Sequence, residues 1–529
     1  MNESELMQFK DWISKIEEES TDVWVSLYKL VKDDKDNLVI YSCLLKKGYV
    51  EDSLKDYSWD FLITDIYGNE DIIPLLIKRH FYGIKPDYWE ITEDIRLFFR
   101  LYQKDKIFFY IDSNGDEEEV IIVSDNEVKI RRNFLKEYLF AKKYVLAQFY
   151  DFFRYSDKKI KDLGLKKIDK YKQDLKYTYH LYVDDDKYSI YDRKSIASIL
   201  GKSIISVSDS FKSKIFSEEK DFEEFDIGND VDGNKISFTC NEKRLSNYFG
   251  ANKGNPHYLT PVYFDRIVLD KYYSDISKYS VNDGYLSCQG LWGLRLDNSC
   301  KDYVMVFLGD LGHLTNKEQK HWKAFNIIID GKMSSTCFKR SFMAEFCDPG
   351  TADLYFKQKF NVFQTNWYKK YGWYLFLPLS EEDRHHFETI RIPTKNTQDE
   401  FDSLILSITK ILIDSINAEQ LKSLIVSEES KEDEIQSISK EFILKKDDKS
   451  IEIFRKYFAQ KYNLQFPEII QFLRDLQSLR STGSAHRKGS NYDLTKKKFG
   501  LTNNFKEVFE NILIKCIRII YTLSNKIFK

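Results

Sequence analysis

Towards the C-terminus the apolar positions fall into helical spacing. Phe401, Leu404, Ile405, Ile408, Ile411, Leu412 and Ile416 recur three or four apart behind Thr397-x-x-Glu400, the pattern of a capping box. A polar stretch over 427–437 leads to a short helix near 453–462. Pro467 suits the first position of the next helix, whose stripe is Ile469, Phe472, Leu473, Leu476 and Leu479. A last helix carries Phe505, Val508, Phe509, Ile512, Cys516, Ile519 and Leu523. Four amphipathic helices with short links predict a compact helical bundle over 396–529.

Upstream the period shortens. Between about 175 and 395, runs such as HLYVDDDKYSIYD, KISFTC, YVMVFLGD and WYLFLPL alternate with polar turns. They predict a β-rich middle domain over 166–395, a candidate sensor. In the first third, two β-rich runs over 108–124 flank Asn114-Gly115, a pair that tolerates positive φ and so predicts a hairpin. Leu135, Tyr138, Leu139, Val145, Leu146, Phe149 and Phe152 predict one long helix over 131–154. The charged stretch 156–174 then reads as a boundary closing an N-terminal α+β domain of 1–165. The expected fold class is α+β and multidomain.

Composition narrows the function classes. The 529 residues exceed one ordinary domain. With 42% hydrophobic and 31% charged residues the chain is globular and not a disordered polymer. A net charge of −3 excludes an indiscriminate polyanion binder, so any nucleic-acid site must rest on local charge. The start MNESELMQFKDW lacks a basic and then apolar leader, and no apolar run is long enough to span a bilayer; a cytoplasmic protein without membrane contact is expected. Seven dispersed cysteines without a CxxC pair read as reduced thiols. Absence of a P-loop, a GxGxxG or a GxSxG stretch argues against an NTPase, a dinucleotide-dependent enzyme or an α/β-hydrolase, and no cofactor is expected.

The candidate chemistry concentrates in LRSTGSAHRKGSNYDL, 479–494. Arg480 closes the third helix of the expected bundle, and His486 follows six positions later, about 120° around an ideal helix. Ser481, Thr482, Gly483 and Ser484 argue against a regular continuation, and a kink there brings guanidinium and imidazole together. Arg487, Lys488, Lys496, Lys497 and Lys498 face only Asp493 nearby, a positive field suited to a phosphodiester backbone and so a candidate RNA-binding set. The competing reading is a helix C-terminus whose cations complement its dipole.

An Arg, five residues and a His at the end of the third helix of a C-terminal bundle resembles the HEPN family (higher eukaryotes and prokaryotes nucleotide-binding). The flanking Ala485-His486-Arg487-Lys488-Gly489 is similar to bacterial anti-phage proteins of the Abi-like type. The resemblance covers about 396–529. It implies a metal-independent endoribonuclease in anti-phage defence, abortive infection or a toxin–antitoxin pair, with RNA as substrate. Arg480 would clamp the scissile phosphate, and His486 would move protons for the 2′-OH. It also implies a homodimer with one composite cleft, for which Ile514, Ile517 and Ile520, off the main stripe of the last helix, are a candidate surface. The family often has Asn, Asp or His directly after the Arg, where this chain has Ser481. The large N-terminal body suggests regulation by a phage-derived or nucleotide trigger. The alternative is a non-catalytic nucleic-acid-binding, dimerisation or sensor scaffold.

Two further clusters are weaker. Asp310, His313, Glu318 and His321 are of metal-ligating type but match no metalloenzyme spacing, so no metal site is expected. His385-His386, after SEEDR, reads as an exposed loop.

Overall fold

The computed structural model describes residues 13–14, 16–17, 22–32, 36–46, 72–174, 176–186, 193–213, 215, 221–329, 332–430, 436, 438–483, 499–500 and 504–528. The chain is α+β. It divides into two compact units, Met1–Glu219 and Lys220–Lys529.

The first unit is built on an antiparallel sheet. Its strands are β1 (Trp24–Lys32), β2 (Asp36–Lys46), β3 (Ile72–Pro74), β4 (Leu76–Arg79), β5 (Tyr88–Ile91), β6 (Tyr102–Lys104), β7 (Ile107–Ile111), β8 (Glu117–Val123), β9 (Glu127–Arg131), β10 (Tyr144–Ser156), β11 (Ile168–Gln173), β12 (Tyr177–Asp185) and β13 (Ser195–Ile205). The order is β11-β12-β13-β10-β2-β1-β9-β8-β7-β6, with β3 on β2, while β4 and β5 pair separately. The expected hairpin is β7–β8. Gly115 sits at φ 75°, and the Asp112 carboxylate accepts the N–H groups of Asn114 and Asp116 at 2.8 Å each.

The long helix expected over 131–154 is half strand. Helix α1 (Arg132–Lys142) ends at Lys143, which is left-handed at φ 57°, and β10 begins one residue later. β10 pairs with β2 on one side and β13 on the other. Val145, Leu146, Ala147, Phe149, Tyr150 and Phe152 are all buried, so the strand shows a near-continuous apolar run without the period-two signature. The boundary expected at 165/166 is likewise displaced, because β11, β12 and β13 continue the sheet from β10. The charged stretch 156–174 supplies β11, an edge strand whose Lys170 and Lys172 discourage further pairing.

The second unit opens with short strands. β14 (Glu224–Asn229) and β15 (Lys235–Thr239) form a hairpin; β16 (Pro261–Asp265) lies between β20 (Tyr303–Phe307) and β21 (Asn326–Ile327); β17 (Tyr279–Asn282), β18 (Tyr285–Cys288) and β19 (Trp292–Arg295) form a meander. With helix α2 (Asn316–Lys323) they enclose a core around Phe264, Tyr272 and Trp322. Helices α3 (Ala352–Tyr371), α4 (His385–Glu388), α5 (Gln398–Thr409), α6 (Ser450–Tyr462), α7 (Pro467–Gly483) and α8 (Phe505–Ile527) follow. One hydrophobic core runs from Phe356 on α3 to Ile527 on α8, so the boundary expected at 395/396 crosses a single packed body. WYLFLPL is not a strand; Phe376 makes only an isolated bridge to Ile416. The capping box does not close either. Thr397 caps α5 without a side-chain bond, and Glu400 instead accepts the N–H groups of Thr394 and Lys395.

α3 was not anticipated, and it covers part of α8. The rings of Phe363 and Trp367 stand 5.8 and 6.4 Å from Phe528. Ile520, expected on a dimer surface, is buried in this chain's own core, and Ile517 packs against that core.

A buried ion pair ties the strands to α3. Arg266 donates to the carbonyls of Asn298 and Cys300 and reaches Asp353 at 3.4 Å, with both side chains almost fully enclosed. Asp353 also accepts the N–H of Ile392 at 2.9 Å. One turn on, the Lys357 ammonium donates to the Glu388 carbonyl at 2.7 Å, and burial pushes its pKa down from 10.5 to about 8. Between these two values the unfolded chain holds a proton that the folded chain has shed, so this group's contribution to stability rises with pH across that window. Lys357→Met should therefore be most favourable relative to the parent below pH 8, with the gap in melting temperature narrowing towards pH 10. A gap that does not change with pH refutes the assignment.

Candidate functional site

Arg480 lies in the last turn of α7. The helix runs on to Gly483 instead of breaking after Arg480, and Ser481 returns its hydroxyl to the Gln477 carbonyl at 2.8 Å, a bond compatible with helix. His486, Arg487, Lys488, Lys496, Lys497 and Lys498 lie outside the described residues.

The structure gathers a different set of groups beside Arg480. α5 passes directly into a π-helical turn, Lys410–Asp414, in which the Ser415 N–H reaches back five residues to the Lys410 carbonyl at 3.1 Å. Such turns recur at functional positions in helices. Ile411, Leu412 and Ile413 are buried, whereas Lys410 and Asp414 at either end stay partly exposed. Asp414 accepts from Arg480 Nη1 at 2.5 Å. Lys410 donates to Asp383 at 2.5 Å, which holds that carboxyl below the usual carboxylate range.

Asp383 precedes α4, which carries His385 and His386 with ring centres 3.9 Å apart. The exposed loop expected here is corrected by one of the pair. His385 is exposed, with Nδ1 2.8 Å from the Glu382 carbonyl, but His386 is buried. Its Nδ1 is 2.9 Å from the Ser407 hydroxyl, and its Nε2 is 3.7 Å from Asp383.

Burial pushes the His386 pKa down to about 4, helped by His385, Lys410 and Arg480 and opposed by Asp383. At neutral pH this imidazole is uncharged and a poor proton acceptor, since a general base works best with a pKa near the working pH. It fixes the position of Ser407 and the Asp383 loop. The sign for stability follows. Between its ordinary 6.5 and about 4, the unfolded chain takes up a proton that the folded chain refuses, so stability falls as pH drops through this window. His386→Asn should flatten the acid limb of a melting-temperature profile between pH 6.5 and 4; an acid limb identical to the parent's counts against the assignment.

The site therefore includes two cations, Arg480 paired with Asp414 and Lys410 paired with Asp383, beside a neutral imidazole. An arriving phosphate would compete with Asp414 for the guanidinium. Of this set, the sequence points to Arg480 as functional and reads His385-His386 only as an exposed loop. Its one further signal was that Lys410 and Asp414 are the only charges in the apolar run 403–418.

The metal-type residues do not converge. The Tyr258 hydroxyl donates to Asp310 at 2.8 Å and lies 3.3 Å from His313. Glu318, fully buried, accepts from Lys271 at 2.5 Å and from Tyr272 at 2.6 Å. His321 Nε2 is paired with the Val268 carbonyl at 2.9 Å. Among the described residues no group of three or more His, Cys, Asp or Glu side chains is placed to hold a metal ion. A cavity of about 510 Å³ beside Tyr258 and Asp310 is walled also by Asp283, Asp297, Arg295 and Arg340. Two of its carboxylates have internal partners: Asp283 pairs with Arg340 at 2.7 Å, and Asp297 accepts from Ser334.

All seven cysteines are free thiols. Among the described residues no helix is long and apolar enough to cross a membrane. Comparison of the chain with protein-family models, with curated proteins and with solved structures yields no match.

Proposed function

We propose that the chain is a metal-independent endoribonuclease effector of the kind that serves bacterial anti-phage defence, abortive infection or toxin–antitoxin pairs. It would act in the cytoplasm, as a homodimer, under control of a phage-derived or nucleotide trigger sensed by the rest of the chain. The observation that carries this reading is the setting of Arg480, a half-buried guanidinium at a helix end with Lys410 and the histidine pair grouped around it. A guanidinium stays charged at any working pH and can hold phosphate oxygens through two bonds at once. RNA supplies its own nucleophile, the 2′-OH, so clamping and proton transfer suffice without a metal. In this scheme Arg480 clamps the phosphate, His486 moves the proton, and Arg487, Lys488, Lys496, Lys497 and Lys498 follow the backbone.

The test is incubation of purified protein with mixed RNA in chelator. Cleavage is expected, and Arg480→Ala and His486→Ala should each reduce its rate by roughly 100-fold or more, in line with loss of a transition-state contact. Arg480→Ala should leave stability within about 1 kcal/mol of the parent, because the Asp414 pair is partly solvated. Cleavage that needs added magnesium or manganese, or an Arg480→Ala variant with parental activity, removes the reading.

One observation favours a second reading. Arg480 is already engaged by Asp414, as a structural ion pair would be. The helices would then form a non-catalytic nucleic-acid-binding or dimerisation scaffold, and the outcome to expect is association by sedimentation with no cleavage by any variant.

A further inference from the structure

The loop between β15 and β16 contains a feature that neither core nor the Arg480 site explains. Tyr248 and Phe249, adjacent in sequence, are 79% and 98% exposed. Single exposed aromatics are ordinary, but this pair stands on a tightly built loop. The Asn247 side-chain oxygen accepts the N–H groups of Phe249 and Ala251 at 3.0 and 3.2 Å. Asn252 Nδ2 donates to the carbonyls of Lys243 and Leu245 at 2.8 and 3.0 Å, and Asn255 Nδ2 to that of Arg244 at 2.9 Å. The base of the loop is closed where Ser246 exchanges backbone bonds with Pro256 and Tyr258 at 2.9 and 2.8 Å. Gly250 and Gly254, at φ 84° and 97°, allow the two bends.

The Tyr248 ring is supported from one side, and the loop carries positive charge. His257 stands edge-on beneath Tyr248, with ring centres 4.6 Å apart. Its Nδ1 accepts the Leu259 N–H at 3.1 Å, which fixes the ring. Lys243, Arg244 and Lys253 are exposed, and among the described residues none of them is in an ion pair, although the Arg244 guanidinium lies 5.8 Å from the centre of the Phe238 ring. Lys253 Cε lies 3.7 Å from where a side chain at Gly250 would begin, which places this cation beside the aromatic pair. From 241 to 258 these three cations face one acid, Glu242, in a chain whose net charge is −3.

Open aromatic faces on a loop whose cations have no carboxylate partner match a polynucleotide whose bases are unstacked: each base offers a π face, and each linkage offers a negative charge. A protein interface surrounds a wider apolar centre with a polar rim, whereas Asn247 and Gly250, on either side of the pair in sequence, add no further apolar side chain. We propose that residues 243–257 form a stacking platform for single-stranded nucleic acid. On the ribonuclease reading above, and resting on it for this point alone, the strand bound there is the RNA substrate.

The test is fluorescence anisotropy of the full chain with a labelled 2′-O-methyl oligouridine about twenty nucleotides long, which no 2′-OH chemistry can cut. Binding should weaken as salt rises. Tyr248→Ala with Phe249→Ala should weaken it about tenfold or more, as loss of base stacking does, while melting with the parent. Lys243→Ala, Arg244→Ala and Lys253→Ala together should flatten the salt dependence by about 2 in logarithmic slope. A duplex of equal length should bind more weakly, because its bases are already stacked. The proposal is overturned if the parent does not bind the strand, if the aromatic double variant binds like the parent, or if the duplex binds as well. The ribonuclease reading fails separately: a protein that binds this oligomer through Tyr248 and Phe249 but cuts no RNA keeps the platform and loses the enzyme.

Discussion

Replacing Asp353 with alanine should cost the second unit about 3–5 kcal/mol, the range for removing one partner of a buried ion pair. Asp353 is fully enclosed and answers three donors: Arg266 Nη2, the Ile392 N–H and the Leu354 N–H. Removing it leaves Arg266 charged and almost wholly buried, with only the carbonyls of Asn298 and Cys300 to receive its protons. It also removes the nearby negative charge that favours protonated Lys357. Asp353→Asn, which keeps one acceptor for Ile392, should lose less. Removing both charges, with Asp353→Leu and Arg266→Met, should recover part of the loss, because the surviving partner is then no longer a buried unpaired charge. Denaturant melting combined with hydrogen exchange of peptides from 352–371 reads this out in the second unit alone. A loss below about 1 kcal/mol for Asp353→Ala would mean that water replaces the carboxylate and that the pair does not hold strands and helices together.

Some elements of both units are legible in the sequence and others are not. The hairpin at Asn114-Gly115 was legible because its turn needs a local backbone conformation that few residues tolerate. α6, α7 and α8 were legible because each has one wet face, so the helical period survives in the pattern. β10 was not, because a strand buried on both faces loses its alternation and its apolar run fits a helix equally well. α3 escaped for a related reason. Phe356, Phe360, Phe363 and Trp367 form its buried stripe, but Tyr355, Val362 and Tyr368 lie on other faces, and Val362 and Tyr368 are exposed. With apolar residues all round, the contrast that identifies an amphipathic helix is faint.

The candidate site divides along similar lines. Arg480 could be singled out because its chemistry is carried by its own position at a helix end. Its partners could not, because their meaning depends on contacts distant in sequence: Arg480 and Asp414 are 66 residues apart, and Lys410 and Asp383 are 27 apart. His386 reads as exposed from the sequence for the same reason. Its neighbours in sequence are charged, whereas the Ser407 hydroxyl that holds it arrives from another helix.

Glu318→Ala should be comparably damaging, at about 3 kcal/mol or more, and it also separates a hydrogen-bond network from a metal site. The carboxylate is fully buried, and its oxygens receive the Lys271 ammonium and the Tyr272 hydroxyl. Tyr272 in turn accepts from the Trp322 indole at 2.8 Å, so one carboxylate orders an aromatic cluster at the centre of the strand core. Burial and this acid together hold the Tyr272 phenol well above its ordinary pKa, which keeps the hydroxyl protonated and donating. Alanine leaves that donor without an acceptor and opens a cavity beside it, and both effects cost stability. Glu318→Gln, with an amide oxygen in nearly the same place, should lose roughly half as much. Thermal melting in chelator supplies the second half of the test. In a hydrogen-bond network the parent melts at the same temperature with or without chelator, and Glu318→Ala lowers both values equally. If chelator lowers the parent's melting temperature and Glu318→Ala abolishes that shift, then Glu318 is a metal ligand and the assignment of Asp310, His313 and His321 to separate hydrogen bonds fails with it.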